Sequence, residues 1–240
     1  MINSITRTSY GRRINSDSSG AEDFARVLIL GDSHYRGMAN IYNDSHIGSH
    51  TAESVFKPNA RIEDVVQDAT HLTAQFTIRD HVVIFAGTNN ILRGSLPNKE
   101  FFGNIIKQLS HTNAIFVSVP FCQNKKRYND LAYDFNCEMY RGVTNAAHTG
   151  RVHFVDANSL FLDNDRTRHG LHLRKSGKAR IINYVAHIIR GKDANTVSRG
   201  VNIKNLTSVK IINDWNDAEE AERAATRKNV SSWTQKQVNI

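Results

Sequence analysis

Three short segments carry side chains suited to acyl transfer. Gly31-Asp32-Ser33-His34 joins a hydroxyl to a carboxylate and an imidazole, Gly87-Thr88-Asn89-Asn90 offers two carboxamides, and His169-Gly170-Leu171-His172-Leu173 holds two imidazoles. A serine hydroxyl becomes a useful nucleophile only when a neighbouring base takes its proton. Imidazole suits that task near neutral pH, because it accepts the proton and then returns it to a leaving group. A carboxamide N–H is a donor for the oxyanion that forms between those steps. The competing role for Ser33 is structural: a turn serine that caps the helix after it.

Each segment sits where a regular element ends or begins. Val27–Leu30, Val82–Ala86, Ala114–Val119 and Val152–Val155 are short, β-branched and continuously apolar. Continuous rather than alternating hydrophobicity means burial on both faces, the pattern of strands inside a parallel sheet. A weaker strand is expected over Thr51–Phe56. Phe101, Phe102, Ile105, Ile106 and Leu109 form one apolar stripe within 98–109, Leu131, Phe135, Met139 and Val143 form another within 128–148, and 175–189 carries a third. Strands alternating with helices predict an α/β fold, a three-layer α/β/α sandwich around a doubly wound, mainly parallel sheet of about five strands, flavodoxin-like in plan. Such sheets bind ligands at the carboxyl ends of their strands, and that is where Ser33 and Asn89 fall. The domain is expected over 24–190. Residues 1–23, rich in Ser, Arg and Asn, read as a flexible arm, and 191–240 as a tail with an edge strand over Val209–Ile212 and a charged helix over Asp217–Lys228.

Gly-Asp-Ser after the first strand, Gly-Thr-Asn after a central strand and Gly-x-His-Leu before the last helix resemble, in that order, the SGNH (GDSL-type) hydrolases. The resemblance covers about 26–189. The wording Arg168-His169-Gly170-Leu171-His172-Leu173, with Gly177-Lys178 after it, is most similar to the esterase-type domains of LINE retrotransposon proteins and their eukaryotic relatives. The resemblance implies Ser33 as nucleophile, His172 as general base and then acid, and an oxyanion hole from the Ser33 N–H, the Asn89 amide and a main-chain N–H after the second strand. The family has glycine at that last position, and Asn59 stands there in Lys57-Pro58-Asn59-Ala60. Pro followed by Asn suits a type II turn, since Asn tolerates a positive φ and keeps its N–H.

A second departure bears on rate. The family's triad Asp lies three residues before the His, and His169 occupies that place. In serine hydrolases, losing that acid typically costs about 10⁴-fold in turnover. Asp165, Asp163 or a main-chain carbonyl near His169 are the groups that could orient His172 instead. Asn90 stands for a family Asp, with an effect expected on the loop rather than the chemistry. Asp32, His34 and His169 are expected around the pocket.

The remaining composition mostly excludes. Lys+Arg exceed Asp+Glu by 31 to 23, a net charge of +8, with pI near 9.6. Arg168, Arg174 and Lys175 cluster at His172 as a candidate anion-binding rim, and Lys125-Lys126-Arg127 is expected on the same face of the sheet; RNA, DNA or anionic lipid are the macromolecular partners such a rim suits. No aromatic residues interleave these charges as single-strand binders need. Two cysteines make neither a disulfide framework nor a zinc pattern, and His46 and His50 lack a third ligand, so no metal or other cofactor is expected. No Walker loop, Gly-x-Gly-x-x-Gly or Gly-x-Ser-x-Gly elbow occurs. The polar N-terminus lacks a signal-peptide core and no apolar run could span a membrane, which predicts a cytoplasmic or nuclear, non-secreted protein. Two functions stay open: a serine esterase acting on a small or lipid-like ester, and a catalytically degenerate SGNH-like domain that binds nucleic acid or a protein partner.

Overall fold

The computed structural model describes residues 6–8, 25–45, 50–123, 125–146 and 150–191. The apolar runs become strands because both of their faces are covered. β1 (Thr6–Thr8), β2 (Arg26–Gly31), β3 (Thr51–Phe56), β4 (His81–Phe85), β5 (Asn113–Val117) and β6 (Val152–Val155) form one sheet in the order β1-β3-β2-β4-β5-β6. All neighbours from β3 to β6 run parallel, and β1 alone is antiparallel. Even-numbered side chains of β2, β4, β5 and β6, such as Leu28, Leu30, Val82, Ile84 and Phe116, face one core, joined by Val55 of β3. Odd-numbered ones, such as Val27, Ile29, Val83, Phe85 and Ile115, face a second. That division is the period-2 geometry of a strand with helices on both sides.

Two helices cover the odd-numbered face: α1 (Met38–Ser45) and α7 (Lys175–Ile189), with Tyr42, Ile181, Ile182 and Val185 buried there. The other face takes α2 (Ile62–Val66), α3 (Ala69–Leu72), α4 (Thr88–Leu92), α5 (Phe101–Gln108) and α6 (Lys126–Ala146). Phe102 of α5 meets Phe116 of the sheet and Phe135 of α6 edge-on, the contact aromatic rings prefer. The expected three-layer sandwich is therefore present, and the strand over Thr51–Phe56 is there in full.

The N-terminal segment departs from expectation at one place. Residues 1–23 read as an arm, yet Thr6–Thr8 pair with Ser54–Phe56. The open edge of β3 has unpaired peptide groups, and a three-residue strand caps them without needing an apolar run that patterning could detect. The edge strand and helix expected beyond 191 lie outside the described residues. Among the described residues no helix is long and apolar enough to cross a membrane.

Candidate active site

The chain leaves β2, forms β3 on one side, then returns to form β4 on the other side of β2. The crevice beyond the carboxyl ends of β2 and β4 is thus the switch point where ligands bind in open parallel sheets. Ser33 starts a 3-10 turn, Ser33–Tyr35, directly after β2, and Asn89 lies in the first turn of α4, directly after β4. Gly31 N–H is followed by Asp32 N–H bonding Phe85 O at 3.2 Å, so the two strand ends remain laced together as they enter the loops. Gly87 has φ +132°, and a Cβ there would meet the Phe135 ring at 2.5 Å; only glycine lets β4 turn into α4 over α6.

The segment after β3 is drawn onto the same crevice. Asn59 adopts φ +56°, the only positive φ outside glycine among the described residues, and Ala60 N–H bonds Lys57 O at 3.3 Å. This is the turn that Pro58-Asn59 suggests. Asn89 Nδ2 donates to Ala60 O at 3.0 Å, and Arg93 donates to Asn59 O at 2.9 Å. One Nδ2 hydrogen of Asn89 remains for another acceptor. The N–H groups of Ser33 and Asn59 make no hydrogen bond among the described residues. Asn90, fully buried, accepts from Ile62 N–H at 2.8 Å and donates to Glu63 at 2.8 Å. Asn90 and Arg93 are thus the ties of this loop. Arg93 had no sequence signal beyond lying four residues after Asn89, one helical turn on.

His172 is presented differently. Arg166 and Leu173 form an antiparallel bridge, Thr167 N–H bonds His172 O at 2.9 Å, and Gly170 N–H bonds Thr167 O at 2.8 Å, a small hairpin with His169 exposed at its tip. Asp165 secures its base rather than its histidine. The buried Asp165 carboxylate accepts from Leu162 N–H at 2.9 Å and pairs with Arg180 at 2.8 Å, while its carbonyl accepts from Arg174 N–H. Burial alone would raise its pKa, but hydrogen bonds from Ser176 and Leu162 N–H and the Arg180 charge hold it below the ordinary carboxylate value. Gly177 lets α7 approach: a Cβ there would stand 3.0 Å from Asp165 O. Asp163 shares the 3-10 turn Asp163–Asp165, but its side chain lies outside the described residues. Among the described residues no acid or carbonyl hydrogen-bonds the His172 ring.

What does meet His172 is His34. The two rings stack with centroids 4.2 Å apart and planes 18° from parallel. Because His34 follows Ser33 in the chain, this contact brings the serine turn and the histidine hairpin to one place. His34 N–H bonds Asp32 Oδ1 at 3.0 Å. Burial, then the His172 and Lys178 charges, push the His34 imidazole down to about 4, so it is neutral at pH 7. Burial pushes the Asp32 carboxyl up to about 7, against the pull of the His34, Gly87 and Thr88 N–H groups. Ser33 and His172 make no hydrogen bond with each other among the described residues; such contacts often close only around substrate.

Arg168, Arg174 and Lys175 are exposed beside the hairpin. Lys178 donates to Arg36 O at 2.9 Å, and Arg166 lies over the Phe161 ring. A groove of about 600 Å³ between α4 and the start of α6 is lined by Arg93, Lys125, Lys126 and Arg127 over Leu92 and Leu131. His50 meets His81 edge-on, and His46 lies outside the described residues. Cys122 and Cys137 are buried free thiols.

No protein-family model matches the chain, and no curated protein sequence matches it. Solved structures do. A family 3 carbohydrate esterase from Clostridium thermocellum superposes with TM-score 0.54 at 17% identity, over 70% of this chain and 98% of that one. The M. smegmatis aryl esterase gives 0.52 at 13%, over 70% and 99%. A GDSL-like lipase from Bacteroides thetaiotaomicron gives 0.50 at 16%, over 69% and 87%. The chain therefore carries the fold of the SGNH (GDSL-type) hydrolases, as the order of its motifs implies.

Proposed function

We propose that the protein is a serine esterase: it hydrolyses acyl or acetyl esters through an acyl-Ser33 intermediate. The observation that carries this reading is the grouping at the ends of adjacent strands of Ser33, two main-chain N–H groups without partners among the described residues, and the Asn89 amide with a hydrogen to spare. The fold shared with carbohydrate and aryl esterases supports ester hydrolysis.

In this mechanism His172 takes the Ser33 proton as Oγ bonds to the ester carbonyl carbon. The carbonyl π pair moves to oxygen, where the Ser33 N–H, Asn59 N–H and Asn89 Nδ2 donate to it. Collapse breaks the bond to the alcohol oxygen, which leaves with the proton held by His172. Water repeats the sequence and frees the acid. No step calls for a metal. The cationic groove beside Asn89 and the rim at Arg168, Arg174 and Lys175 favour an ester that carries a negative charge.

A fluorophosphonate probe should label the wild-type chain and fail to label Ser33→Ala; equal labelling of the two rules the mechanism out. The exposed basic rim, together with a His172 ring that no acid among the described residues holds, favours a second reading, a binding domain for nucleic acid. Under that reading, salt-sensitive RNA binding survives Ser33→Ala and falls when Arg174 and Lys175 are neutralised.

A further inference from the structure

We propose that His34 is a positioning residue, a stacking platform that holds the imidazole of His172 beside Ser33 where other serine hydrolases use a carboxylate. The inference rests on the esterase reading and adds to it the means by which the base is held.

The two imidazoles are unlike. His34 is 7% exposed and lies between more enclosed neighbours, with Asp32 fully buried and Tyr35 at 2%. Its main chain is fixed by the bond to Asp32 Oδ1. Tyr35 in turn packs on Phe85 at 4.4 Å between ring centroids. His172, by contrast, projects from a hairpin and is exposed. A flexible imidazole laid on a rigid one loses its freedom to rotate away from the stack, and an unpositioned base is what an enzyme without a triad acid must avoid.

Of the two acids expected for this task, Asp165 holds Leu162 N–H and Arg180 at the base of the hairpin, and the Asp163 side chain lies outside the described residues. Among the described residues, the contact made by the His172 ring is the stack on His34, at 4.2 Å and 18°.

The charged neighbours suit a platform that must not titrate with the base. Lys178 reaches across from α7 to Arg36 O, and its charge acts on the His34 ring, while the Arg36 guanidinium lies over Phe56. Asp32 is buried and accepts from His34 N–H, and His169 stands exposed on the hairpin itself. Cations and burial both disfavour a charge on His34. His172 can then become imidazolium during turnover without a second positive ring against it, and the neutral aromatic face next to it is attractive to a cation.

The test compares His34→Ala with His34→Phe in the full chain, using 4-nitrophenyl acetate turnover and NMR of the His172 ring protons. His34→Ala should lower kcat about 10- to 100-fold with KM within about twofold, since the platform acts on the base rather than on substrate binding. His34→Phe, which keeps a stacking face without ring nitrogens, should return kcat to within about threefold of wild type. The His172 ring protons should show an upfield ring-current shift in wild type and in His34→Phe, and lose it in His34→Ala. Wild-type turnover in His34→Ala overturns the inference, as does a His34→Phe variant that keeps the ring-current shift but stays as slow as His34→Ala. A wild-type chain that neither turns over ester nor takes the fluorophosphonate label fails the esterase reading instead, a result distinct from either.

Discussion

The two halves of the site are built on opposite principles. Ser33, Asn89 and the Asn59 turn sit at the ends of three adjacent strands and are tied by Asn89 to Ala60, Arg93 to Asn59 and Asn90 to Ile62 and Glu63. His172 stands exposed on a hairpin anchored at its base by the buried Asp165 and Leu173. Under the proposed esterase mechanism, the contrast follows from what each half would do. Oxyanion donors act through fixed dipoles, and any reorganisation during reaction subtracts from their effect, so they belong in the sheet. A general base must exchange its proton with a departing alcohol and an arriving water, so it belongs at the solvent edge.

The comparison can be broken in several ways, from large effects to small. Ser33→Ala and His172→Ala should each lower kcat by about 10⁶-fold if the halves act as one unit, and the double variant should be no worse than either; stopped-assay turnover against the buffer rate decides it. Asn89→Ala should cost about 100- to 1,000-fold in kcat and, by releasing Ala60, about 1 kcal/mol in urea unfolding. Asp165→Ala separates scaffold from catalysis. Freed of Leu162 N–H and Ser176, the hairpin base should lose about 1–3 kcal/mol, while at temperatures where the variant stays folded kcat falls far less than the 10⁴-fold expected of a triad acid. Asn59→Gly should leave kcat within about twofold because it keeps the N–H and suits the φ of +56°, whereas Asn59→Val should cost about 1–2 kcal/mol for placing a β-branched residue there.

Stability against pH supplies a matched pair of signs. The Asp32 carboxyl is raised to about 7 from 3.8, so between those values the folded chain keeps a proton that the unfolded chain has released, and stability falls as pH rises. His34 and His81, each lowered to about 4 from 6.5 chiefly by burial, do the reverse: the unfolded chain binds more protons between 4 and 6.5, and stability rises with pH. Asp32→Asn should therefore steepen the gain from pH 4 to 6.5 and remove the decline toward pH 7. Urea midpoints measured across that range, with no change of slope in the variant, would contradict the burial of Asp32 as the cause.

Much of the layout was legible beforehand because burial writes itself into composition. A strand covered on both faces must be apolar throughout, so β2, β4, β5 and β6 showed as runs, and the stripes of α5, α6 and α7 showed as faces. The short helices α1 to α4 had no stripe long enough to read, and β1, with three residues, had no pattern at all. Within the site, Pro58-Asn59 announced its turn through backbone preference. Asn90 was marked for the loop only through the family resemblance, and Arg93 gave no sign at all, since hydrogen bonds to partners about thirty residues away leave no spacing to find.

Local chemistry, then, decided which groups stand at the strand ends: a hydroxyl after β2, a carboxamide after β4, an imidazole before α7, and a turn that tolerates asparagine at positive φ. Only the tertiary structure decided how those groups are held. Asp165 lies seven residues from His172, close enough in sequence to be taken for its partner, yet packing of α7 across the hairpin base gives that carboxylate to Arg180. His34 and His172 lie 138 residues apart, and nothing in either segment specifies a partner for its ring. They meet because the parallel sheet brings the end of its central strand and the loop before its last helix to the same edge.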